Sequence, residues 1–94
     1  MPTPLSEHDI RNALLKVPGW HVSGKAIERL FQFPDFKAAM EFVNRVAEAA
    51  EDMGHHPDIT ISYNKVTLTL ITHDSDGVTE RDVKLAGRIN EIAG

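Results

Sequence analysis

The 94-residue chain contains no cysteine, which excludes disulfides and thiolate metal sites together. It also lacks any apolar run approaching the roughly 20 residues needed to cross a bilayer, so no membrane-spanning role is expected. Its first residues, Met1-Pro2-Thr3-Pro4-Leu5, have neither the basic opening nor the hydrophobic stretch of a secretory signal, and this predicts a cytoplasmic protein. Positive charge is not in excess: Lys and Arg number 10 against 14 Asp and Glu, for a net charge of -4, with the two signs interspersed. Such a chain offers no electrostatic footprint for a nucleic-acid backbone, so direct DNA or RNA binding is not expected. With 41% apolar and 26% charged residues the composition is that of a soluble globular domain. The length suits one domain over residues 1–94, able to bury roughly two-thirds of its unfolded surface.

Local signals divide the chain into short elements with no repeat or low-complexity segment. Ser6 with Asp9 three residues later is a capping-box pattern, and Ile10, Ala13, Leu14 and Val17 recur at helical spacing until Pro18-Gly19. From Trp20 to Phe33 the period changes to two: Trp20-His21-Val22, a turn at Ser23-Gly24-Lys25, then Ile27, Arg29, Phe31 and Phe33 alternating with Glu28 and Gln32. Asp35 can cap a long helix whose apolar stripe is read as Phe36, Ala39, Met40, Val43, Val46, Ala47 and Ala50, with Gly54 placed to end it. Residues 58–63 and 66–72 are two β-branched runs flanking Asn64-Lys65. Thr79 with Asp82, and an apolar staple between Val78 and Val83, open a last helix that turns Leu85, Ala86, Ile89 and Ile92 inward. The order α-β-β-α-β-β-α predicts an α+β domain, a four-stranded antiparallel sheet with helices on one face. Its exposed edge invites a second copy, so a dimer or tetramer is expected.

The second hairpin carries the chemistry. A two-residue turn at Asn64-Lys65 pairs Tyr63 with Val66, Ile61 with Leu68, Ile59 with Leu70 and Asp58 with Ile71. One face then holds Ile59, Ile61, Tyr63, Val66, Leu68 and Leu70, all suited to burial, and the other Thr60, Ser62, Thr67 and Thr69. Continued past the ladder, this register sets His56 opposite His73, with side chains about 5 Å apart. Pro57 donates no ladder bond and holds His56 extended, while the helix end can turn His55 back toward the same place. Imidazole, with an ordinary pKa near 6.5, gives and takes protons near neutrality, so His55, His56 and His73 together suggest proton transfer. Glu51, one helical turn before His55, is a carboxylate within reach. His8 and His21 read as surface residues, Asp82 as a capping acid and Trp20 as a core aromatic. A zinc or iron site built from these imidazoles with Glu51 or Asp82 is the competing chemistry, disfavoured because consecutive strand side chains diverge.

From Glu51 onward the sequence resembles the pterin-4a-carbinolamine dehydratases. The matching residues are Glu51, His55-His56-Pro57, Tyr63, His73, and Asp82 within Thr79-Glu80-Arg81-Asp82. Gly19-Trp20, the Phe33-Pro34-Asp35-Phe36 start and Asn44-Arg45-Val46-Ala47 extend the likeness over nearly the whole chain. The resemblance implies loss of water from a 4a-hydroxytetrahydropterin to give the quinonoid dihydropterin, with no redox cofactor and no metal. It implies His55 and His73 as the proton-transfer pair, without saying which is the acid, and His56 as a positioning residue that shares the base role. Glu51 and Asp82 would orient the imidazoles and favour their protonated forms. Backbone groups of Gly54, Ile71, Thr72 and Asp74 would meet the pterin pyrimidine, and Trp20 would wall the pocket. Some relatives are understood to act as dimerisation partners of a transcription factor, so a non-enzymatic regulatory role with a protein partner is the alternative.

Overall fold

A computed structural model describes residues 3–94 of the chain; Met1 and Pro2, part of the stretch read above for a secretory signal, lie outside the described residues. The elements run α1 (Glu7–Leu14), β1 (His21–Ser23), β2 (Ala26–Gln32), α2 (Phe36–Met53), β3 (Asp58–Ser62), β4 (Lys65–Leu70), a 3-10 turn at His73–Ser75, and α3 (Glu80–Ala93). This is the α+β order the sequence predicts. Each helix begins where a short polar side chain satisfies an otherwise orphaned N–H: Ser6 accepts from Asp9, and Asp35 accepts from Ala38. No helix among the described residues is long and apolar enough to cross a membrane.

The strands form one antiparallel sheet in the order β1-β2-β4-β3. Alternation along β2 and β4 sends Ile27, Phe31, Val66, Leu68 and Leu70 to one face, all at most 5% exposed. Val46 and Ala39 of α2 and Leu85, Ala86 and Ile89 of α3 meet them, so the two long helices close over that face. Phe31 and Phe33 lie 4.8 and 4.9 Å from Phe42 between ring centroids, which locks α2 onto β2.

Two sequence expectations need correction. The α2 stripe is rotated about its axis: Phe42 and Ala49 are buried, whereas Phe36 is 50% exposed and Ala47 lies outside the core. Aromatic packing of Phe42 decides this, because both flanks of the helix are apolar and periodicity alone does not choose between them. The second hairpin also closes one residue earlier than expected, at Tyr63-Asn64, so Ser62 pairs with Lys65, Ile61 with Val66, Ile59 with Leu68 and Asp58 with Thr69. Asn64, within the turn, is fixed by Phe33 from outside it. Its carbonyl accepts from the Phe33 N–H at 2.9 Å and its side-chain amide donates to the Phe33 carbonyl at 2.8 Å, while Tyr63 takes φ +53°. Partners move by two residues, so each side chain keeps its face. Burial does not follow for β3, however: as an edge strand it leaves Ile59 and Ile61 37% exposed, and Tyr63 in the turn is 65% exposed.

Candidate active site

Two chain reversals bring the histidines together. Gly54 takes the left-handed conformation at φ +60° and ends α2, its N–H bonding back to Ala50 and Glu51. The His55 N–H follows to the Ala50 carbonyl at 3.1 Å, which folds His55 against the helix it has just left. At the other end of the hairpin, Thr72 and Gly77 pair as an isolated bridge and close a short loop around the 3-10 turn that begins with His73. Ladder pairing stops at Asp58 and Thr69, so His56 and His73 are not cross-strand partners as the extrapolated register required. They meet all the same: Gly54, His55, His56, Ile71, Thr72, His73, Asp74 and Arg81 line one open cleft of about 240 Å³.

The imidazoles stand in different surroundings. His55 is 9% exposed, and its Nε2 lies 2.5 Å from Oδ1 of Asp82, which is fully buried. Asp82 is the third residue of α3, and its Oδ2 accepts the Thr79 N–H at 2.9 Å in a capping box. The same oxygen accepts the Thr72 hydroxyl at 2.9 Å. One carboxylate therefore starts a helix and grips an imidazole. His56 lies 2.5 Å from Glu51 through Nε2, both side chains being largely exposed. Glu51 is thus the partner of His56, and Asp82 that of His55. His73 is exposed, and its side chain makes no hydrogen bond to the described residues.

The tautomer of His55 follows from these partners. With the Thr79 N–H and the Thr72 hydroxyl converging on Oδ2, Asp82 acts as an acceptor, and His55 Nε2 is assigned as the proton-bearing nitrogen facing Oδ1. No buried side-chain nitrogen or oxygen among the described residues lacks a partner, and His55 Nδ1 has no hydrogen-bond partner among those residues. Nδ1 is accordingly the ring nitrogen that reaches solvent, at the cleft.

Trp20 does not wall this cleft. It is 5% exposed in the core, edge-on to Phe31, and its indole N–H donates to Asn90 Oδ1 at 2.8 Å. Asn90 lies eight residues beyond Asp82 on α3, about 12 Å along the helix. Conversely, Arg81 lines the cleft although sequence reasoning gave it no role. The signal was present: a capping box beginning at Thr79 sets Arg81 at the same helix mouth as Asp82. The hydroxyls of Thr72 and Thr79, 2.7 Å apart and buried, were likewise missed. Among the described residues, no three histidine or acidic side chains are gathered as metal ligands.

An α+β sheet-and-helix domain with a histidine-lined cleft at one end of its second hairpin narrows the class, and comparison with known proteins then identifies the family. Residues 3–92 match the family Pterin 4 alpha carbinolamine dehydratase, and the chain belongs to it. It is 55% identical over 92 residues, 98% of each chain, to a protein of Koribacter versatilis, and 51% identical over 89 residues to one of Thermomicrobium roseum, covering 95% of this chain and 96% of that one. Both carry the name "Putative pterin-4-alpha-carbinolamine dehydratase". Among solved structures it resembles a transcriptional coactivator/pterin dehydratase from Brucella melitensis, with TM-score 0.93 and 44% identity over 98% of this chain and 100% of that one. A pterin dehydratase-like protein identified as a RuBisCO assembly factor in the alpha-carboxysome shares the fold at TM-score 0.72 and 24% identity, over 84% of this chain and 94% of that one.

Proposed function

We propose that the protein removes water from a 4a-hydroxytetrahydropterin to give the quinonoid dihydropterin, using imidazoles as acid and base. The convergence of His55, His56 and His73 on one cleft, with carboxylates behind the first two, carries this reading. In it, His55 Nδ1 accepts the N5 proton while protonated His73 delivers one to the departing hydroxyl. The C4a–O bond breaks as the N5=C4a bond forms, and exchange with water returns both imidazoles to their starting state. Hydroxide is a poor leaving group, so each proton transfer is worth about 10²- to 10⁴-fold. Elimination of water changes no oxidation state, so the reaction calls for no redox cofactor. His56, braced by Glu51, positions the substrate and shares the base role. Backbone groups of Gly54, Ile71, Thr72 and Asp74 meet the donor and acceptor edge of the pyrimidine.

The test is to generate a 4a-hydroxytetrahydropterin chemically and follow its ultraviolet decay with and without the protein, before and after chelation. Faster decay insensitive to chelation is expected. Decay at the spontaneous rate would overturn the dehydratase reading, and activity lost on chelation and restored by zinc or iron would replace it with a metal centre.

The same reading includes self-association. Strand β3 is a free edge carrying exposed Ile59 and Ile61, with exposed Tyr63 in the turn that follows, and Phe36 is half exposed at the start of α2. Unpaired strand groups beside apolar side chains suit a second copy of the chain. Light scattering is expected to give at least twice the monomer mass for the native protein, and a monomer for Ile61→Lys. A native monomer at micromolar concentration would remove this part of the proposal.

A further inference from the structure

Thr72 lines the cleft while its hydroxyl is held within the protein. It is 3% exposed, and its hydroxyl lies 2.7 Å from Thr79 Oγ1 and 2.9 Å from Asp82 Oδ2. A hydroxyl has a single proton to give. Because Asp82 accepts at both oxygens, the Thr72 proton goes to Asp82, and the Thr79 hydroxyl must donate to Thr72. The chain of bonds then has one direction, from Thr79 through Thr72 to Asp82, with His55 donating into the same carboxylate from the other side. Without the Thr72 proton, Oδ2 keeps only the Thr79 N–H, and one constraint on the carboxylate that holds His55 is gone.

The backbone of Thr72 has a second task. Its N–H donates to the Gly77 carbonyl at 2.9 Å, and its carbonyl accepts from the Ser75 N–H at 3.1 Å, which forms the base of the loop presenting His73. One residue therefore ties the orientation of His55 to the placement of His73. We infer that Thr72 is a positioning residue whose buried hydroxyl, fed by Thr79, fixes Asp82 so that His55 presents a bare Nδ1 to the substrate. This rests on the dehydratase reading for its catalytic consequence, but the tautomer it specifies is independent of that reading.

The test uses the full chain labelled with ¹⁵N, reading the His55 ring nitrogens by long-range proton correlation, alongside turnover of a 4a-hydroxytetrahydropterin. In the native protein His55 carries its proton on Nε2. Thr72→Ser keeps the hydroxyl and is expected to keep both that tautomer and most of the turnover. Thr72→Val frees Asp82 to swing off Nε2 in part of the population, and is therefore expected to mix the two tautomers and lower kcat about 10- to 100-fold, by analogy with the loss of a partner that orients a metal-bound imidazole, with KM changed much less. A folded Thr72→Val protein with the native tautomer and native kcat overturns the inference, as does a native protein with the proton on Nδ1. If Thr72→Val does not fold, Thr72→Ser decides: a retained tautomer supports the inference and a lost one sinks it. If the native protein proves inactive toward pterins, the ring spectra still decide the positioning role, so the two failures remain distinct.

Discussion

Replacing His73 with alanine lowers turnover of a 4a-hydroxytetrahydropterin by about 10²- to 10⁴-fold, the usual weight of one general acid or base, and leaves the fold intact. The asymmetry follows from its surroundings. The imidazole is exposed and has no hydrogen-bond partner among the described residues, while the loop that carries it is held by backbone bonds: Thr72 with Gly77, Ser75 to Thr72 and Asp76 to His73. Removing the ring breaks none of these. A surface substitution of this kind ordinarily shifts stability by no more than about 0.5 kcal/mol. Thermal unfolding monitored beside the decay assay separates the two effects, and near-native turnover in a folded variant would take His73 out of the mechanism.

The second hairpin shows what a sequence leaves undetermined. Face assignment there has a period of two, so closing the turn at Tyr63-Asn64 or at Asn64-Lys65 gives the same separation of apolar and polar faces. The choice is made by Asn64 bonding to Phe33, 31 residues away, a contact that no local pattern encodes. Pairing of His56 with His73 was a consequence of the wrong register, yet the cleft forms because Gly54 and the Thr72–Gly77 bridge each reverse the chain toward it. Caps were legible for a related reason. Ser6, Asp35 and Thr79 each satisfy an N–H two or three residues ahead, so the partners sit within one short segment. Trp20 reads as a core aromatic and is one, but its bond to Asn90, 70 residues away, is not legible in this way, and neither is the flank of α2. The buried flank is chosen by Phe31, Phe33 and Phe42, which only the assembled sheet brings into contact.

Asp82 joins the stability of the domain to its chemistry, and two substitutions separate them. Asp82→Ala leaves three donors facing nothing at a fully buried position: the His55 Nε2–H, the Thr72 hydroxyl and the Thr79 N–H. Each unmet buried donor costs about 1–3 kcal/mol, so a loss of roughly 3–6 kcal/mol is expected even with partial relaxation. Against a total of about 5–15 kcal/mol for a domain of ordinary stability, that leaves the variant close to unfolding. Asp82→Asn keeps the shape and one acceptor. If the amide oxygen stays with the Thr72 and Thr79 donors, the amide NH₂ faces His55 Nε2, and the ring must turn an acceptor toward it. His55 then carries its proton on Nδ1, the nitrogen at the cleft, and has no base to offer. Turnover is expected to fall about 10²- to 10⁴-fold, the weight of one lost general base, with denaturant unfolding shifted far less than for Asp82→Ala. Asp82→Asn working at the native rate would mean that this carboxylate only caps α3, and that proton acceptance belongs to another imidazole of the cleft.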